Sequence, residues 1–212
     1  MKSTMDTANY DVSARGYLRR ARCLLEDGSV DRLFYSAFEL RAGLEARASE
    51  YLAEWEHIPS TSKKAWQIGV LDKAAQRAFA GNKTVADLKF SKDGVSVRFL
   101  YTPVRPAGRD AVARLNNYLH AQKKHRNGDE IWWSKFRETL AKAERELAFS
   151  VSGTLLGPAL IGKNRQAKLM SEVLDSGPPA LTPETGQNFD VAVKYHPAVG
   201  FEFPSDAYVW RE

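Results

Sequence analysis

The stretch "SVDRLFYSAFELRAGLEARASEYLAEWEHIP" (Ser29–Pro59) sets the fold class. Leu33, Ala37, Leu40, Leu44, Tyr51 and Trp55 recur at spacings of three, four and seven. That repeat places apolar side chains on one face of an α-helix. Ser29 or Asp31 can cap its start, and Pro59 limits its end. Roughly 26 residues at 1.5 Å each make a helix about 40 Å long. Gly43 in its interior costs about 1 kcal/mol relative to alanine, so it predicts a second helix packed close by.

The preceding stretch, "SARGYLRRARCLLEDG" (Ser13–Gly28), reads as another helix. Ser13 is its cap, Gly28 its stop, and Tyr17, Leu18, Ala21, Leu24 and Leu25 its apolar stripe. Cys23 lies among those residues and is expected to be a buried, inert thiol. The short connection predicts an antiparallel helical hairpin. A third helix is expected in "KKAWQIGVLDKAAQRAFAG" (Lys63–Gly81), with Trp66, Val70, Leu71, Ala74, Ala78 and Phe79 inward.

The period then changes to two. "VADLKFSKDGVSVRFLYTPV" (Val85–Val104) reads as a β-hairpin turning at Asp93-Gly94, a favoured type I′ pair. A fourth helix is expected from about Arg109 to Lys124. A fifth follows in "NGDEIWWSKFRETLAKAERELAFSVS" (Asn127–Ser152), with Ile131, Trp132, Phe136, Leu140, Ala143 and Leu147 inward. Trp133 is expected to face away from the core that Trp132 enters. A shorter helix is expected over 163–174. "SGPPALTPETGQN" (Ser176–Asn188) reads as a linker, and "FDVAVKYHPAVGFEF" (Phe189–Phe203) as a terminal pair of strands. Those strands can extend a sheet with the internal hairpin or reach to another chain. The expected architecture is mainly α: an antiparallel helical bundle over 1–175 with a β-hairpin inserted near 85–102, then a linker and small β tail over 176–212.

Composition narrows the functional classes. Hydrophobic residues are 43% and charged residues 27% of 212, as in ordinary soluble domains. No apolar run reaches the roughly 20 residues of a spanning helix, and the first residues lack the apolar core of a secretory signal. One cysteine excludes an internal disulfide or a cysteine-built zinc site. A cytoplasmic, membrane-free protein is expected. The net charge of +5 permits contact with nucleic acid. Phosphate-binding and dinucleotide glycine motifs are absent, as is any histidine spacing suited to a metal, so no cofactor or metal is expected.

What remains lies in "RDAVARLNNYLHAQKKHR" (Arg109–Arg126). At 100° per residue, Val112, Leu115 and Leu119 define the core side, and Arg114, Asn117 and His120 step along another ridge. Such residues suit metal-free RNA cleavage, in which the 2′-hydroxyl is the nucleophile. His120 would move the proton, Arg114 hold the scissile phosphate, and Asn117 orient either group. The same ridge also reads as the polar face of a surface helix, with Asp110 placed to pair with Arg114. In "FELRAGLEAR", Glu39 or Arg41 can face a pocket beside the fourth helix, or Arg41 can pair with Glu45.

The helical hairpin, followed later by Arg114-Leu-Asn-Asn-Tyr-Leu-His120, resembles a HEPN domain, as do "FELRAGLEA", "YTPV" and "LNNYLHAQ" together. The resemblance covers about Ser13 to Ser150. It implies a helical bundle, commonly a homodimer. It also implies a metal-independent ribonuclease of antiphage defence or toxin–antitoxin systems, with Arg114 and His120 as the catalytic pair and Asn116 or Asn117 as polar helper. Leu115 stands where the family usually has a polar residue. Glu39 and Arg41 would support the site, and Lys123, Lys124 and Arg126 would bind RNA. The alternative is a catalytically inactive module binding RNA or a protein partner within such a system. A tetratricopeptide-like scaffold is disfavoured by the lack of a second copy at a fixed period.

Overall fold

The computed structural model describes residues 10–53, 55–56, 58–65, 68–79, 83–120, 127–128, 131–158, 160–161, 167–168 and 190–211. Its helices are α1 (Ala14–Asp27), α2 (Val30–Ala53), the short α3 (Ser60–Lys63), α4 (Ile68–Phe79), α5 (Pro106–Leu119) and α6 (Ile131–Ser152). Its strands are β1 (Thr84–Lys92), β2 (Val95–Tyr101), β3 (Leu160–Ile161), β4 (Ala167–Lys168), β5 (Asp190–Pro197) and β6 (Ala207–Tyr208). The chain is mainly α with a β element. No helix among the described residues is long and apolar enough to cross a membrane.

Local chemistry accounts for most boundaries. The Ser13 hydroxyl accepts from the Gly16 N–H at 3.0 Å and starts α1. Gly28 ends it in the left-handed region, φ 67°, its N–H returning to the Leu24 carbonyl. Asp93 and Gly94 both have positive φ, 50° and 82°, as a type I′ turn demands. Pro106 occupies the first turn of α5, where no N–H partner is needed, so this helix starts earlier than Arg109. It also ends earlier than expected: His120 is already extended, with ψ 152°. Residues 121–126 lie outside the described residues.

The sheet order is β5-β1-β2-β6. The hairpin strands pair in register from Lys92↔Val95 to Ala86↔Tyr101. β5 runs antiparallel along β1 from Thr84 to Ser91, and β6 adds parallel pairs at Arg98 and Phe99. The C-terminal strands therefore flank the inserted hairpin. Ala167–Lys168 is strand, paired with Leu160–Ile161, where a helix was expected over 163–174. The remainder of that span and the linker at 176–188 lie outside the described residues.

Helix α2 packs against α1, α4, α5 and α6. All six residues of its apolar stripe are buried. A Cβ on Gly43 would stand 2.5 Å from Leu147 Cδ2 and 3.0 Å from Tyr17 Cβ, so α1 and α6 both close on this position. The inner face of the sheet meets the far end of α2, where the Tyr51 and Tyr101 rings lie 5.1 Å apart. Several expectations fail at element ends. Ile131 is 73% exposed at the first turn of α6, and Val70 is exposed on α4. Cys23 is exposed rather than buried. Trp132 and Trp133 both join the core rim, their rings perpendicular 4.7 Å apart and both near Phe136. Perpendicular packing is what lets neighbouring tryptophans share one cluster.

Arg47 is wholly buried in the middle of this assembly. Its Nε donates to the Ser150 carbonyl at 3.0 Å and to the Tyr51 hydroxyl oxygen at 3.1 Å. Nη2 donates to the Gly153 carbonyl at 2.8 Å, and Nη1 to Glu50 at 2.9 Å. The Tyr51 hydroxyl in turn reaches the Thr102 carbonyl after β2. One guanidinium thus joins α2 to the end of α6 and, through Tyr51, to the hairpin. Arg47→Met would leave two buried carbonyls without this donor. A loss of about 3 kcal/mol or more is expected, read as a lower urea midpoint with unchanged slope.

Candidate functional site

The outgoing end of α5 and the opening turns of α6 enclose a recess of about 450 Å³. Arg114, Asn117 and Tyr118 line it from α5, and Trp132, Lys135, Glu138, Thr139 and Lys142 from α6. The Tyr118 and Trp132 rings meet edge to face at 5.1 Å, and Tyr118 stacks on Phe136 at 4.4 Å. Among the described residues, none of Arg114, Lys135 and Lys142 has a carboxylate within salt-bridge distance. Asp110 does not pair with Arg114.

A second recess, about 620 Å³, shares Tyr118 with the first. Phe34, Tyr35, Phe38 and Glu39 of α2 form one wall, and Tyr118, Leu119 and His120 the other. Tyr35 and Phe38 are 62% and 52% exposed, and with Phe34 they make a contiguous aromatic patch, the kind of surface that marks interaction sites. A third recess, about 540 Å³, shares Tyr35 and Glu39 and adds Arg19, Arg20, Cys23, Leu24 and Arg32. Tyr118 joins the first two recesses, and Tyr35 with Glu39 joins the last two. The three form one continuous face.

The residues expected on one ridge are therefore divided. Arg114 and Asn117 open into the first recess, and His120 into the second. The helix ends at Leu119, so His120 leaves the ridge that a longer helix would have continued. Asn116 is half-buried, with its Oδ1 enclosed and without a hydrogen-bond partner. Glu39 does face the end of α5, but its carboxylate is occupied: it accepts from Arg20 Nε at 2.8 Å and the Tyr10 hydroxyl at 3.1 Å. Arg41 pairs with Glu45 at 3.3 Å. Lys123, Lys124 and Arg126 lie outside the described residues. No group of three metal-ligating side chains occurs among the described residues.

Other cations of the face are already paired. Arg19 holds Asp11 at 2.8 Å, and Arg20 holds Glu39. Arg32 lies 3.9 Å from Asp27. Among the described cations lining the three recesses, Arg114, Lys135 and Lys142 of the first are the ones without a carboxylate partner. Sequence reasoning missed Lys135, Lys142, Tyr118, Tyr35 and Phe38 as site residues. The seven-residue step from Lys135 to Lys142, two helical turns, was a legible sign of one basic face. No protein-family model matches the chain, and neither a curated protein nor a solved structure shows significant similarity to it.

Burial raises the Glu45 carboxyl above its ordinary value, and Arg41 partly offsets this. A carboxyl raised on folding favours the protonated native state. Arg41→Ala removes the offset, so ionised Glu45 becomes more costly. The variant should lose about 1 kcal/mol at neutral pH. That loss should shrink as pH falls below the raised value and Glu45 protonates. Urea midpoints of both proteins at pH 7 and pH 4 test this; a loss that grows in acid would contradict it.

Proposed function

We propose that the protein binds single-stranded RNA along the face that runs from Arg114 past Tyr118 to Tyr35 and Arg19. The observation that carries this reading is the trio Arg114, Lys135 and Lys142, without a carboxylate partner among the described residues, around the Tyr118–Trp132 pair. Free cations attract phosphates, and aromatic rings accept stacked bases without regard to sequence. The exposed rings of Tyr35 and Phe38 continue the platform by which a strand could leave the recess. Glu138 lies within the recess too, so the pull on phosphate is local rather than spread over a uniformly positive surface. On this reading the molecule is a helical bundle of the HEPN-like kind, working in the cytoplasm in antiphage defence or as part of a toxin–antitoxin pair.

Metal-independent cleavage is the second reading. Its support is that Arg114 and His120 line two recesses that share the Tyr118 ring. A strand crossing that ring meets the arginine with one phosphate and the histidine near a neighbouring ribose. Arg114 would stabilise the charge growing on phosphate, and His120 would take the 2′-hydroxyl proton. Both groups at one phosphate would need a second copy to supply one of them.

Fluorescence anisotropy with labelled oligouridine tests the first reading. Arg114→Ala and Lys135→Ala should each weaken binding several-fold. Each should also lower the slope of log affinity against log salt by about 0.7. Lys73→Ala, on α4, should change neither. No binding by the native chain, or equal slopes throughout, ends the proposal. The same RNA incubated with EDTA tests cleavage: His120→Ala should abolish it while binding persists. Binding without cleavage leaves the first reading standing alone.

A further inference from the structure

We infer that the open edge of β5 pairs with β5 of a second copy of this chain. β5 ends the sheet, and one of its edges bonds β1 from Asp190↔Ser91 to Pro197↔Thr84. Along its other edge no strand lies among the described residues. Eight residues leave about 27 Å of peptide groups available for pairing there. Val191, Val193 and Tyr195 stand opposite Phe90, Leu88 and Ala86, so they share the face that the sheet turns to the core. Yet they are 51%, 37% and 58% exposed. Among the described residues, the apolar face of the sheet runs past its helical cover.

The residue order selects a second copy as the occupant. An antiparallel two-fold pair must keep like faces together, so it is centred on a single residue. Centred on Val193, it sets Val193 against Val193, and Val191 against Tyr195 of the second copy. On the other face it sets Ala192 against Lys194, and Asp190 against His196. Asp190 also lies diagonal to Lys194 of the second copy, within reach of its long side chain. Every contact occurs twice by symmetry. Centring on Lys194 would oppose two ammonium groups. Centring on Ala192 would carry Tyr195 and His196 beyond Asp190, outside the strand. The Val193 register spans every residue from 190 to 196, sets Val191, Val193 and Tyr195 against one another, and faces Asp190 with His196 while leaving Lys194 only the small Ala192 opposite.

The edge is remote from the RNA-binding face, so the two proposals stand separately. α2 begins at the recesses with Phe34 and Phe38 and ends at the sheet with Tyr51. A dimer through β5 leaves both recess faces open. One strand pair lies at the small end of specific interfaces, below the roughly 1,200 Å² of stable ones, so association should depend on concentration.

Sedimentation equilibrium of the full chain tests this. The native protein should pass from monomer to dimer as concentration rises. Val193→Lys and Val193→Glu should each remain monomeric, and an equimolar mixture should recover the dimer. A cysteine at the centre gives a second readout, since facing residues of an antiparallel pair stand within disulfide reach. Val193→Cys on a Cys23→Ser background should cross-link under mild oxidation. A native chain that stays monomeric, a Val193→Lys dimer, a mixture that stays monomeric, or no cross-link at Val193 would each overturn the inference.

Discussion

The fold depends on how the end of α6 is satisfied inside the protein. The last turn of a helix leaves carbonyls without intrahelical donors and carries the negative end of the helix dipole. Such an end is normally left in water. Here it lies against the hairpin, and two guanidinium groups supply the donors. Arg47 takes Ser150 and Gly153, and Arg15 takes Val151 at 3.2 Å. The Trp210 N–H takes Ser152 at 2.9 Å. Glu50 completes the circuit: one oxygen accepts from Arg47, and the other accepts from the Ala14 N–H at 2.7 Å, a buried donor at the start of α1 that has no intrahelical acceptor. A carboxylate serves a helix beginning and a guanidinium serves a helix end, each on the side the dipole favours. Three helices and the sheet meet at this one pair of charges.

The sequence exposes the frame of this arrangement better than its centre. A helical period is a property of one segment, so the α2 stripe could be read residue by residue, and each member is buried. Gly43 announced a close approach because nothing else explains a glycine within a strong helix. Asp93-Gly94 announced the turn because two positive φ values select those residues. Arg47 left a quieter trace. The stripe steps seven positions from Leu44 to Tyr51, and Arg47 fills the gap at three from one and four from the other. Its type says surface while its spacing says core. Only the carbonyls of α6, about a hundred residues away, decide between them.

The site was legible in fewer of its parts, and the reason is again the range of the interaction. The Arg114–Asn117–His120 ridge assumes a helix continuing to Lys124. The backbone turns extended at His120, and the geometry of the ridge is lost within one residue. Arg114 gains its character from Lys135 and Lys142, on a helix beyond a connection that periodicity does not describe. Cys23 was misplaced for a related reason. Its apolar neighbours belong to the stripe, but it lies two positions from Ala21 and therefore about 200° around the helix. Adjacency in sequence was mistaken for adjacency in space.

The long helices also keep the two ends of the molecule chemically distinct. α2 and α6 both begin beside the recesses and finish under the sheet. At the beginning, Tyr35, Phe38 and Tyr118 border the recesses. At the finish, the Arg47–Glu50 circuit ties α2 to the end of α6 and the start of α1. Arg105 reinforces this end from α5's first turn, gripping Glu146 through two bonds of 2.9 and 3.0 Å and lying 3.9 Å over the Phe149 ring. Among the described residues, Lys135 and Lys142 on the earlier turns of α6 have no carboxylate within salt-bridge distance, whereas the carbonyls at the other end of the same helix are held by Arg47 and Arg15. Matched charge and buried polar groups gather at the end that packs under the sheet, where an unpaired charge would be costly, and unmatched charge is confined to the end that borders solvent.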